Sequence, residues 1–281
     1  MTQNKEKIII CGHYGASNIG DEAILISLLQ NLNKVKPDAD ITILSYDPKN
    51  TKNFHNIKSN YLLPLGFRSI FRGIFKGELR KTLRSIKHCD KFILGGGGLF
   101  TDEKIFAVFL WGLHAFVALK YKKPLYMLGQ SVGPLKTKIG KWIARKAFVK
   151  AKMIYVRDEA SKELLEKLSI NNEIIVAPDL VFSLDLKEKI SESSFTEVLN
   201  KKIAQEGLKG YFLISLRPWK KNFNILNKNI DQAVDVIVRK YKLLPVFVPY
   251  QTVNQNDEQL MHKIVEQSSH KYPSLIKKFE Q

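Results

Sequence analysis

A short apolar run, Lys7 to Cys11 (KIIIC), leads straight into a glycine-bearing loop and then into residues with helical periodicity, and this unit recurs along the chain. That recurrence constrains the fold most. Ile41 to Ser45, Lys91 to Leu94, Leu125 to Gly129, Met153 to Val156 and Ile174 to Val176 read as further strands. Asp21 to Lys34, Phe106 to Tyr121, Ile139 to Ala151 and Ser161 to Leu168 read as the helices between them. Strands that are continuously apolar are buried on both faces. Strand–helix–strand order then predicts a parallel sheet covered by helices, the α/β doubly wound architecture. Ligands of such sheets sit beyond the carboxyl ends of the strands, so the chemistry is sought in the loops there.

A chain of 281 residues suggests two domains. Residues 1–185 hold the units just described. Residues 186–207 are polar, include Ser191, Ser193 and Ser194, and read as a linker with a helical part. Residues 208–281 repeat the theme: strand Tyr211 to Leu216, helix Asp231 to Tyr241, strand Pro245 to Val248, helix Asp257 to Gln267. This is short of the roughly 100–150 residues of a complete doubly wound domain, so the second domain is expected to be incomplete.

Hydrophobic residues make up 44% of the chain, enough for a packed core and against disorder. Two cysteines, Cys11 and Cys89, exclude a disulfide scaffold and a cysteine-rich metal site. No HExxH, CxxC or GxSxG occurs, and no metal is expected. No secretory signal opens the chain. The most apolar window, Ile105 to Leu119, is broken by Gly112 and His114 and is shorter than the roughly 20 residues of a span. His114 reads as a satisfied core histidine. A cytoplasmic protein is expected, with room for peripheral contact at the inner membrane face. Lys plus Arg exceed Asp plus Glu by 18 charges. The excess fits anionic partners, or only a soluble lysine-rich surface.

Five loop segments stand at strand ends. Gly12 to Glu22 (GHYGASNIGDE) lacks the GxGxxG spacing, and Asp21 and Glu22 at the helix start repel phosphate. Asn18, Asp21 and the Gly20 backbone suit sugar hydroxyls better; a plain turn with an Asp cap is the alternative. Gly95 to Gly98, Gly96 and Gly97 among them, allow close backbone approach to a ligand or close helix packing. Gln130 and Ser131 offer donors in a turn. Arg157 comes directly off a strand, where a guanidinium either grips phosphate or carboxylate or pairs with a nearby acid. Arg217 and Trp219 follow the first strand of the second domain, with Trp219 available for a sugar ring or for closing the turn. Finally, Arg68, Arg72, Lys76, Arg80 and Arg84 recur every four residues within Phe67 to Lys91 beside an apolar side. This stretch fits either an anionic membrane surface or a solvated helix face. No nucleic-acid module accompanies it, and no nucleic-acid partner is expected.

Taken in order, GHYGASNIGDEAIL, LGGGGLFTDE, LGQSVGPL, YVRDEAS, APDLVFSL (with Asp179) and ISLRPW resemble the polysaccharide pyruvyl transferase family over residues 7 to about 250. Closest in character are the bacterial cell-wall enzymes that pyruvylate the polymer anchoring surface-layer proteins. The resemblance implies two Rossmann-like domains in a glycosyltransferase-B-like architecture, acceptor side first and donor side second. It implies phosphoenolpyruvate as donor substrate, no cofactor, and a lipid-linked or polymeric saccharide as acceptor, with pyruvate delivered as a cyclic ketal. On that analogy Arg157 and Arg217 clamp the donor, and Asp21 binds or deprotonates an acceptor hydroxyl. Tyr14 and Asn18 then shape the acceptor pocket, and Phe67 to Arg84 faces the anionic membrane. One departure stands out: the family's Arg-Leu-His, whose Arg and His hold the donor, does not occur in this chain and is expected to follow Gln281. Two other readings remain, a nucleotide-sugar glycosyltransferase of the same architecture and a non-catalytic sugar- or membrane-binding module.

Overall fold

A computed structural model describes residues 5–65, 77–103, 105–186, 194–218, 223–250, 256–268 and 270–277. By contact the chain divides into one unit of Met1–Ala16 and Gly20–Asp185 and another of Ser17–Ile19 and Leu186–Gln281.

The first unit is built on seven strands: β1 (Lys7–Cys11), β2 (Asp40–Ser45), β3 (Lys58–Tyr61), β4 (Lys91–Phe100), β5 (Leu125–Val132), β6 (Met153–Val156) and β7 (Ile174–Val176). Every pairing is parallel, in the order β3-β2-β1-β4-β5-β6-β7. Successive side chains of a strand leave opposite faces, and both faces are apolar here. Ile8, Ile10 and Ile93 pack with Leu25 and Leu28 of α1 (Ile19–Val35) in one layer. Ile9, Cys11, Phe92 and Leu94 pack with Val108, Trp111 and Ala115 of α2 and with Ile143, Ala147 and Phe148 of α3 in the other, α2 being Ile105–Lys120 and α3 Lys138–Phe148. This is why the strands read as continuous apolar runs. Four further helices complete the unit's described elements: Pro48–His55, Glu78–His88, Glu159–Lys167 and the 3-10 turn Leu180–Ser183.

Two elements escape the periodicity argument. Helix Pro48–His55 is short and polar, started by Asp47, whose carboxylate accepts from the amides of Lys49 and Asn50. Strand β3 is an edge strand with one buried residue, Asn60, and so lacks an apolar run. Helix Glu78–His88 is the described part of the basic amphipathic stretch; residues 67–76 lie outside the described residues. Its Leu79, Leu83 and Ile86 pack into the unit's core, leaving Arg80, Arg84 and Lys87 on the outer side. The apolar side of this part packs on the domain, and its basic side is exposed.

The second unit has three parallel strands, β8 (Gly210–Ile214), β9 (Leu243–Phe247) and β10 (Leu275–Ile276), in the order β10-β9-β8. Val234 and Val238 of helix Phe223–Tyr241 and Leu260, Met261 and Ile264 of helix Asn256–Glu266 cover one face around Phe247. Helix Ser194–Gln205 covers the other, with Leu199 against Leu244 and Val246. Much of the expected linker is thus a structural layer of the second unit. No described helix is long and apolar enough to cross a membrane.

Candidate functional site

In the first unit the strand order reverses between β1 and β4, where the connections from the two strands diverge to opposite sides of the sheet. Loops there cannot cross over the crevice, which leaves a cleft at the carboxyl edge. The loop after β1 and the glycines of β4 meet at this point.

Asp21 and Glu22 both lie in the first turn of α1, and each holds a histidine. Asp21 Oδ2 stands 3.0 Å from His13 Nδ1. Its other oxygen faces Gly97, where an added Cβ would come within 3.3 Å of Asp21 Oδ1. Glu22 Oε2 pairs with His55 Nε2 at 2.8 Å, and Glu22 Oε1 accepts from the Gly15 amide at 2.7 Å. The two pairs differ in access. The His55 side chain is only 3% exposed, so this pair fastens helix Pro48–His55 and the Gly15 turn to α1. The His13 side chain is 42% exposed and is available to a ligand.

A carboxylate only accepts, so the proton in the His13–Asp21 contact sits on Nδ1. Neutral His13 then keeps the Nε2 lone pair. Its ring meets Tyr46 edge-on at 5.1 Å and Trp111 at 6.5 Å. Together with Tyr61, Leu63 and Phe106 these rings line a hollow of about 620 Å³. Burial, with smaller contributions from Cys11 and Asp21, pushes the Tyr46 phenol up from its usual range. His114 Nε2 accepts from the Leu63 amide at 2.9 Å and Nδ1 donates to Leu110 O at 2.8 Å, so this core histidine fixes the hollow's wall.

Arg157 leaves β6 beside this edge. Its Nε donates to Ser131 Oγ and its Nη1 to Asp179 Oδ2, both at 2.5 Å. Ser131 Oγ in turn donates to Asp158 Oδ2 at 2.7 Å, while Asp158 Oδ1 accepts from the Ser161 amide and starts helix Glu159–Lys167. Burial raises the Asp158 carboxyl, but bonds from Ser161 and Ser131 and the Arg157 charge overcome it and hold it below the usual range. The guanidinium is rigid, with Nη2 given to no described protein group. The pairing alternative is realised through Asp179, and the open edge still suits an anion.

Tyr14 does not shape a pocket: it is 1% exposed and its hydroxyl donates to Gly95 O at 2.6 Å, so it wedges β1 against β4 from within. Gly95 and Gly96 lie under α1, and a Cβ on Gly96 would stand 2.2 Å from Ile24 Cγ2. Close packing explains glycine there, and these residues pair within the sheet rather than forming a free nest after it. Gln130 is fully buried, with Nε2 donating to Leu94 O at 2.9 Å. Asn18 lies in the loop before α1, and Gly20 is the second residue of that helix. Arg217 lies exposed three residues past β8, in the second unit. Trp219 lies outside the described residues. The sequence reading missed His13 and the ring-lined hollow. His13 and Asp21 are eight residues apart, and only the return of the chain from β1 into α1 joins them.

Comparison with known proteins bears on the fold and the family. Anabaena Alr3699/HepE, solved in complex with UDP-glucose, superposes with a TM-score of 0.60 at 14% identity, over 98% of this chain and 69% of that one. A putative UDP-N-acetylglucosamine 2-epimerase from Listeria monocytogenes gives 0.60 at 15% identity, over 98% and 70%. By fold, the chain is an α/β protein with two Rossmann-like units of the glycosyltransferase-B-like kind. The family model for polysaccharide pyruvyl transferase matches residues 18–280, and the chain belongs to that family. The amylovoran biosynthesis protein AmsJ of Erwinia amylovora is 29% identical over 201 residues, 60% of this chain and 47% of AmsJ. The chain thus spans about half the length of this curated relative.

Proposed function

We propose that the protein transfers pyruvate from phosphoenolpyruvate onto a sugar of a lipid-linked or polymeric saccharide, as a cyclic ketal. The observation that carries this reading is one sheet edge bearing both a rigid, half-open guanidinium at Arg157 and a hollow suited to a sugar. Phosphoenolpyruvate presents a phosphate and a carboxylate, and the planar fork of Arg matches both. Asp179 already balances the Arg157 charge, so a dianion needs another cation, and the family resemblance is our ground for assigning that role to Arg217. Asn18 and the Gly20 backbone, next to Asp21, are assigned to the acceptor.

The test is incubation with phosphoenolpyruvate and a lipid-linked saccharide fraction. Release of phosphate in step with gain of acid-labile pyruvate on the saccharide supports the reading. Consumption of a UDP-sugar with no use of phosphoenolpyruvate overturns it in favour of a glycosyltransferase, and use of neither leaves a binding module. Arg217→Ala with unchanged affinity for phosphoenolpyruvate removes Arg217 from the donor site. A peripheral membrane location belongs to the same reading, through Arg80, Arg84 and Lys87, since each cation near an anionic surface adds about 1 kcal/mol. Equal co-sedimentation with neutral and anionic vesicles refutes that part.

A further inference from the structure

The hollow beside His13 has features that packing does not require. Phe106 is 73% exposed, Tyr46 43% and Tyr61 42%, and all three border one concavity. Exposed rings scattered singly are ordinary, but a contiguous group of them around one concavity marks a binding groove. The volume, about 620 Å³, lies within the roughly 300–1,000 Å³ of small-molecule sites. Its walls are rings and aliphatic side chains, with hydroxyls at Tyr46 and Tyr61 and a basic nitrogen at His13. Among the described residues, no Lys or Arg lines it. Such a lining matches a pyranose, which offers C–H faces to rings and hydroxyls to polar tips. His13 is held through Nδ1 by Asp21, and the ring on the other side of that bond borders the hollow. A carboxylate that fixes the tautomer of a histidine and stabilises its cation is the arrangement by which imidazole deprotonates a hydroxyl.

We propose that His13, oriented by Asp21, is the base that takes the proton from an acceptor-sugar hydroxyl, and that the aromatic hollow seats that sugar. The inference rests on the pyruvyl-transfer reading and moves the base from Asp21 to His13, leaving Asp21 a positioning residue. In the first step the hydroxyl proton passes to His13 Nε2. The oxygen's electron pair forms the bond to the enol carbon of phosphoenolpyruvate, and the π pair takes a proton at the methylene carbon from a separate general acid. In the second step the phosphate leaves with the C–O pair, and a neighbouring hydroxyl of the same sugar bonds to that carbon. The protonated His13 gives its first proton to the departing phosphate, takes this second proton at the freed Nε2 and releases it to reload the general acid, so two hydroxyls and one phosphoenolpyruvate give ketal and inorganic phosphate.

Two measurements test this. Methyl glycosides of the common hexoses and their 2-acetamido derivatives are titrated into protein with ¹⁵N-labelled histidine. At least one glycoside should shift the His13 ring nitrogens and the Trp111 emission, inorganic phosphate should do neither, and Phe106→Ala should weaken the effect several-fold. Turnover is then compared for wild type, His13→Gln and His13→Ala. Loss of a general base lowers kcat by about 10²–10⁴-fold, with acceptor KM little changed. Free imidazole should restore part of the His13→Ala activity, which a merely structural role would not allow. If no glycoside moves His13, the subsite is refuted. If wild type turns over and His13→Gln keeps its rate, the base assignment is refuted while pyruvyl transfer stands. If glycosides bind but phosphoenolpyruvate is never consumed, the pyruvyl-transfer reading fails and the base role fails with it, leaving a sugar subsite.

Discussion

Mild acid should unlock the wall of the hollow through His114. This residue is fully buried on α2, and both ring nitrogens are committed: Nδ1 donates to Leu110 O, and Nε2 accepts from the Leu63 amide. Protonation puts a second N–H against the Leu63 N–H and places a charge in the core. Burial accordingly pushes the His114 pKa down to about 4. In the unfolded chain the value returns to about 6.5, so the unfolded state takes the proton first. Stability from this group is complete above about pH 6.5 and is lost progressively as the pH falls toward 4. With those two values, linkage gives a loss of about 2 kcal/mol between pH 7.5 and pH 5. His114→Gln can still accept from the Leu63 amide but does not titrate. Urea unfolding of both proteins, followed by the emission of Trp111 and Trp142, should show the wild type losing about 2 kcal/mol more than the variant over that interval. Amide exchange at Leu63 should accelerate in step. Equal pH slopes for the two proteins would refute the reasoning, because other histidines contribute to both alike.

Three further expectations follow from single contacts. Gly96→Ala meets Ile24 at 2.2 Å with a φ of +70°, so strain and overpacking together should cost about 3 kcal/mol, whereas Gly98→Ala, with nothing within 4 Å, should change stability by about 0.5 kcal/mol or less; chemical denaturation compares them. Burial raises the Cys89 thiol to about 11 and pushes the Cys11 thiol well above its ordinary range, so neither should react with a disulfide reagent at pH 8 until the chain unfolds. Asp179→Asn weakens the ion pair that holds Arg157; with side chains 31% and 18% exposed, the stability loss should stay within about 1 kcal/mol, while, on the pyruvyl-transfer proposal, affinity for phosphoenolpyruvate should change measurably by calorimetry.

The order of strands and helices was legible because residues such as Ile8, Ile9, Ile10 and Cys11 are apolar on both faces, and only a sheet buried on both sides accounts for that. The short polar helix Pro48–His55 and edge strand β3 were not legible, since one buried residue apiece leaves no periodic signal. The family's motifs could be read in order along the chain, and the family assignment follows them. Their physical roles separate only in space. Tyr14 sits among the motif residues yet serves the interior, and Gly96 stands where a helix presses on a strand. His13 carried no signal of its own, for a lone histidine in a loop is uninformative. Local sequence records which residues prefer burial, turn or helix. Which groups meet at the strand ends is set by chain return over the sheet, and that brought His13 to Asp21, Arg157 to Asp179, and four rings around one hollow.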